Sequence, residues 1–291
     1  MSGSCYTLTV IIDFHTHVFS PELIARREEY AAADRCFRLL YGSIKARLRT
    51  AEDLITEMDA SGVDMAVIQN IGWTSHERCA ETNDYLLEAV QRFPRRLMPF
   101  IAVQPADDRT IDELKRCAAA GARGVGELRP EVQGFELNDR EVMDPFTGTL
   151  VEQNLVLSCH ADEPVGHDYP GKGGMTPGRL FPFIERYPDL KLALAHWGGG
   201  LPFYTLMPEV KEALRNVWFD SAATPYLYQA EVYERAADLI GEDRILLGTD
   251  WPLLGQRRCL DEVKALNLST QTLKAILGGS AEELLGLNDN D

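Results

Sequence analysis

Short runs rich in valine, isoleucine and leucine recur along the chain at 10–15, 63–69, 97–103, 122–128, 155–160, 191–196, 217–220 and 244–249. Between them lie longer stretches whose apolar positions return with a helical period. Strands that alternate with helices point to parallel βαβ units, and eight of them make a (β/α)8 barrel, for which about 250 residues is typical. The pattern predicts an α/β protein, one TIM-barrel domain over residues 1–291, with its active site at the C-terminal ends of the strands. Helix signals fit this spacing. Thr50-Ala51-Glu52-Asp53 has the form of a capping box, and Gly62 and Gly121 stop helices expected over 51–61 and 108–120.

Two segments fit the alternation least: 20–49, basic and without a strand pattern, and 161–176, rich in glycine and proline. Each follows a strand at the end where a barrel carries its active-site loops, so both are expected to be lids or substrate walls. The tail 270–287 has the pattern of one or two closing helices. No linker, internal repeat or low-complexity segment divides the chain.

Composition narrows the function. With 45% apolar and 25% charged residues the chain is of ordinary globular type, and no apolar run approaches the roughly 18–20 residues of a membrane span. The start, MSGSCYTLTVII, lacks the basic segment and long apolar stretch of a signal peptide, so a cytoplasmic location is expected. Cysteines 5, 36, 79, 117, 159 and 259 are widely spaced with no C-x-x-C, and read as free thiols. The net charge of −16 would repel a phosphate backbone, which argues against a nucleic-acid partner. Much of the acidic excess falls on the helices at 51–59 and 281–285, as on a solvated helix face. The expected partner is a small molecule, with a homo-oligomer left open.

The polar residues at the strand ends carry the chemistry. Asp13, His15 and His17 alternate along the first strand and so share a face. Glu127 falls near the end of the fourth strand, His160 ends the fifth, His196 the sixth and Asp220 the seventh, and Asp250 follows the eighth. All would meet at one mouth of the barrel. Three imidazoles and a carboxylate with an open position suit a borderline divalent ion, most often zinc, which activates water; manganese and iron(II) also match this donor set.

With these residues placed, the chain resembles the amidohydrolase superfamily, in the branch of the amidohydrolase-2 enzymes and aminocarboxymuconate-semialdehyde decarboxylase. The resemblance rests on D-F-H-T-H (13–17), S-C-H-A-D (158–162), L-A-H-W-G-G-G (194–200), F-D-S-A-A (219–223), L-G-T-D-W-P (247–252) and L-G-G-S-A-E-E-L-L-G-L (277–287), and covers nearly the whole chain. It implies that His15, His17, His160 and Asp250 contact the metal, and that His196 polarises the substrate or shuttles a proton. Many relatives carry a carboxylated lysine on the fourth strand, bridging two metals. Here Gly126-Glu127-Leu128-Arg129-Pro130 stands in its place, so Glu127 is either a plain carboxylate ligand or a partner of Arg129, and one ion is favoured over two.

Arg129, Tyr169, Lys172 and Trp251 are candidate substrate contacts, with His167 beside them, and Arg129 offers a planar fork for a carboxylate. His76 is expected to be exposed, and Gly198–Gly200 to open a helix N-terminus able to receive an anionic oxygen. The leading expectation is a metal-dependent hydrolase of an amide, ester or lactone in a small carboxylated substrate. A metal-activated water attacks, Asp250 moves the proton, and His196 steadies the oxyanion. Two alternatives stand beside it: a metal-dependent non-oxidative decarboxylase of an unsaturated or aromatic acid, and a non-catalytic metal-binding protein.

Overall fold

A computed structural model describes residues 10–169 and 171–287. Eight parallel strands follow one another in chain order: β1 (Ile12–His17), β2 (Met65–Gln69), β3 (Leu97–Ile101), β4 (Gly124–Leu128), β5 (Val156–Cys159), β6 (Leu192–Leu194), β7 (Val217–Asp220) and β8 (Ile245–Leu246). β8 is shorter than its apolar run, because the chain beyond it turns to join the first strand. Phe14 N donates to Leu247 O (2.7 Å), Asp250 N to His15 O (2.9 Å) and His17 N to Trp251 O (2.7 Å), which brings the last strand end against the first. The architecture is the expected (β/α)8 barrel.

Local signals in the sequence account for the helix boundaries. Thr50 and Asp53 form a reciprocal capping box ahead of the helix Ala51–Ser61, which stops at Gly62 with φ 77°. The other helix expected from sequence runs over Thr110–Ala119. One apolar cluster takes Ile12 and Phe14 from β1, Phe100 from β3, Val156 from β5 and Leu246 from β8, and joins them to Ala281 and Leu284 of the last helix. The tail helices thereby close the end from which the strands start. A larger cluster lies between the strands and the surrounding helices.

The segment 20–49 is not a bare loop. It forms three short helices, Pro21–Ala25, Arg27–Ala33 and Arg35–Tyr41, around a small core of its own. Phe37 stacks on Trp73 with ring centroids 5.4 Å apart, and Asp34 accepts from Thr74 N (2.8 Å) and Thr74 Oγ1 (2.6 Å), so the insertion is fastened to the loop after β2. The five cysteines among the described residues are buried and free, while Cys5 lies outside them. No helix among the described residues is long and apolar enough to cross a membrane.

The strand ladder is irregular at two places, between Asp13 and Thr16 in β1 and between Val125 and Leu128 in β4. These intervals contain His15 and Glu127. Irregularities of this kind re-aim side chains and are concentrated beside active sites.

Candidate active site

At the mouth of the barrel the ring nitrogens of two histidines face each other. His15 Nδ1 lies 2.9 Å from Asp220 Oδ2, and His17 Nδ1 lies 3.1 Å from Gln69 O. Both partners only accept, so each Nδ1 carries the hydrogen and each neutral ring presents a lone pair at Nε2. The two Nε2 atoms are 3.0 Å apart. Two lone pairs aimed at each other repel unless a cation lies between them, so the pair calls for a metal ion or a shared proton. The spacing suits two donors of one ion at the usual metal–nitrogen length of about 2.1 Å. Asp250 Oδ1 is 3.5 Å from His17 Nε2 and 3.8 Å from His15 Nε2, and completes a group that could hold the ion.

A second group, Glu127, His160 and His196, faces the first. His160 is clamped between two carboxylates, with Nδ1 2.7 Å from Glu127 Oε1 and Nε2 3.1 Å from Asp162 Oδ1. Asp162 in turn accepts from Gly173 N (2.8 Å) and Met175 N (3.0 Å), tying the base of the 161–176 loop to the histidine. His196 Nδ1 lies 3.1 Å from Ala222 O, and its Nε2 is 3.5 Å from Glu127 Oε1. Glu127 Oε2 reaches to 4.0 Å from His15 Nε2, linking the two groups. It makes no ion pair with Arg129.

Carboxylates behind the imidazoles fix their rings. Asp220, besides holding His15, accepts from His196 N (3.2 Å) and Ala222 N (2.9 Å). Asp13 accepts from Thr249 Oγ1 (2.6 Å) and Gln256 Nε2 (2.8 Å), and so locks β1 to the turn that carries Asp250. Asp250 and His196 both have left-handed backbones, φ 62° and 54°, a conformation that costs energy in non-glycine residues and is concentrated at functional sites. The sequence named Asp13 and Asp220 without their partners. Asp162 stood within the S-C-H-A-D motif without a role, and nothing singled out Gln69 or Gln256, whose roles depend on contacts across the barrel.

The remaining candidates are placed less centrally. Arg129 is 2% exposed; it donates to Gly171 O, and its Nε lies 3.6 Å from Glu131. The hydroxyl of Tyr169 donates to Glu163 Oε2 (3.1 Å), and Lys172 Nζ is engaged with the carbonyls of Val165 and His167. Trp251 is packed into the core beside Asp250. His76 begins the helix His76–Arg92 and is half-buried instead of exposed. The expected helix N-terminus at 198–200 is absent. Trp197 to Gly200 instead form a left-handed turn, and a Cβ on Gly199 would lie 2.2 Å from Asp162 O, so glycine is needed there for both conformation and space.

The electrostatics of the centre are those of a site that demands a cation. Burial disfavours the His15 imidazolium, but Asp220, Glu127 and Asp250 outweigh it and hold the group up at about 10. Burial and Arg129 disfavour the His160 imidazolium, and Glu127 with Asp162 raises it to about 9. Glu127 itself is pushed up by burial and brought well below the ordinary carboxylate range by His160, His196 and His15. Two imidazoles raised above their ordinary value of 6.5 stabilise the metal-free fold fully below that pH, and the contribution is lost as pH rises through about 9 to 10. The thermal midpoint of chelator-treated protein should therefore fall across pH 8 to 10.5. The metal-loaded protein, whose ion has displaced those protons, should show less of this loss. A metal-free midpoint that held steady or rose over the same window would contradict this electrostatic reading.

Comparison with known proteins agrees with this geometry. A family model described as amidohydrolase matches residues 12–287. The chain is 23% identical to 2-amino-3-carboxymuconate-6-semialdehyde decarboxylase of Dictyostelium discoideum, over 96% of this chain and 92% of the relative. It is 24% identical to 4-sulfomuconolactone hydrolase of Rhizobium radiobacter, over 88% and 81%. The fold matches 5-carboxyvanillate decarboxylase of Novosphingobium aromaticivorans, solved with manganese and 4-hydroxy-3-methoxy-5-nitrobenzoic acid, with a TM-score of 0.78, 21% identity and coverage of 95% and 96%. The chain belongs to the amidohydrolase family and is a metal-dependent enzyme of its decarboxylase-containing branch.

Proposed function

We propose that the chain is a non-oxidative decarboxylase of a small unsaturated or aromatic acid, working as a single cytoplasmic domain with one divalent ion, zinc or manganese. The observation that carries this reading is the closure of the centre. His15, His17, Glu127, His160 and His196 are each at most 6% exposed, and only Asp250 opens to solvent, with 18% of its side chain accessible. Decarboxylation turns a hydrated carboxylate into neutral carbon dioxide while charge moves into the carbon framework, so a water-poor site built of fixed charges favours it.

His15, His17 and Asp250 would hold the ion, with Glu127 and His160 on the facing side. Bound there, a divalent ion would supply positive charge for the substrate's carboxylate or an adjacent oxygen. Burial raises the Asp250 carboxyl, but His17, His15 and His196 bring it below its ordinary value, so at neutral pH it is a carboxylate able to accept a proton. Asp250 takes a proton from solvent, to which it is open, and passes it to the carbon that loses carbon dioxide: the C–COO⁻ bond breaks, its electron pair forms the C–H bond, and no oxidant is consumed. His196, fixed by Ala222, positions a substrate oxygen through Nε2. Arg129 supplies a fixed positive charge behind Glu127. Tyr169, Lys172 and Trp251 shape the surrounding wall.

Hydrolysis is the second reading. The relationship to a lactone hydrolase and the opening of Asp250 to solvent favour it. Incubation with hydroxybenzoates, unsaturated dicarboxylic acids and lactones in deuterated, ¹⁸O-enriched water separates the two. Decarboxylation releases carbon dioxide and leaves solvent deuterium on carbon. Solvent ¹⁸O in the product without carbon dioxide would replace the first reading by the second.

A further inference from the structure

Beside the metal centre lies a cavity of about 350 Å³ that none of the strand-end histidines lines. It is formed between the 161–176 loop and the turn that follows His196, and Phe203, Tyr204, Tyr169 and Tyr228 bring aromatic rings to its wall. A Cβ on Gly200 would lie 3.5 Å from the Tyr228 hydroxyl and 3.8 Å from Phe203, so the turn sits directly against both. The one carboxylate of the wall is Glu163, next in sequence to Asp162, which holds His160.

The charge of Glu163 is not balanced. Its Oε2 accepts from the Tyr169 hydroxyl and the Tyr228 hydroxyl also faces the carboxylate, so its neighbours in the wall are neutral phenols that leave its charge without a counter-charge. No lysine or arginine among the described residues comes within ion-pairing distance of it, and Lys172, the loop's own cation, is engaged with two backbone carbonyls. A partly buried carboxylate without a counter-charge is costly, and aromatic faces attract cations. The cavity therefore presents the two features that recognise an organic cation, in a chain whose net charge is −16.

We propose that this cavity binds an amino or ammonium group of the substrate, so that the acid carries a basic nitrogen at the end remote from its reacting carboxylate. The inference rests on the reading of the enzyme as a decarboxylase of a small acid. It also implies a selectivity, because a second carboxylate entering the cavity would meet Glu163.

Calorimetry on the metal-loaded protein, with choline as the probe and 3,3-dimethylbutan-1-ol as its neutral isostere, tests the site without turnover. Choline should bind saturably and at least about tenfold more tightly than the isostere, and Glu163→Gln should weaken choline by about tenfold or more with metal content unchanged. The comparison of the two probes on the unmodified protein needs no variant. Equal binding of the probes, no saturable choline binding, or an unaltered affinity in Glu163→Gln would overturn the assignment. Carbon dioxide release by a protein that does not bind choline would overturn the cavity's role and spare the reaction. Choline binding without carbon dioxide release from any test acid would uphold the cavity's preference for cations and overturn the reaction.

Discussion

Replacing His15 and His17 together by alanine should remove both the metal and the activity while leaving a folded barrel. The two Nε2 atoms lie 3.0 Å apart with both Nδ1 hydrogens already engaged, so two histidine lone pairs converge there on one point. The facing group can be satisfied without an ion, because His160 keeps a proton between Glu127 and Asp162. Stripped of the β1 pair, the mouth retains Glu127, His160 and His196, of which His160 is already held between two carboxylates. Elemental analysis after dialysis against zinc or manganese should then find only trace metal. Far-ultraviolet circular dichroism should be close to that of the unmodified protein, since the filling of the barrel lies below these side chains. Full metal content in the double variant would show that β1 does not supply the ligands.

Asp250→Asn should behave differently. The amide keeps an oxygen near His17 but removes the basic charge, so turnover should fall by about 10²–10⁴-fold, as when general acid–base catalysis is lost, with metal largely retained. An Asp250 whose main task was anchoring the ion would lose metal affinity first, and excess metal would restore much of the rate. Near wild-type turnover of Asp250→Asn on adding metal would therefore remove Asp250 from the role of proton carrier. The two variants together separate holding the ion from moving the proton.

The strands and the strand-end residues were legible because they depend on local pattern. Apolar runs at regular intervals mark the strands, and alternation along β1 is enough to bring His15 and His17 together. What was not legible depends on contacts between distant parts of the chain. The carboxylate that orients His15 lies 205 residues away at Asp220, and the carbonyl that sets His17 belongs to Gln69 on the neighbouring strand. Asp162 reads as an ordinary loop aspartate until the fold lays His160 and the amides of Gly173 and Met175 against it.

The glycines after His196 show the same limit in another form. A glycine run announces unusual backbone without giving its handedness; here the handedness is left, and Asp162 O occupies the space a side chain at 199 would need. The segment 20–49 was legible as an insertion but not as helices. Its three helices span only 5, 7 and 7 residues, too short to impose a clear period, and are held by caps at Ser20 and Asp34 and by stacking of Phe37 on Trp73.

An anomalous difference map from crystals loaded with manganese locates the ion directly. A single peak within bonding distance of Nε2 of both His15 and His17, with Asp250 beside it, is the expected result. A peak held by Glu127 and His160 with the β1 pair bare, or no peak at the mouth of the barrel, would contradict it.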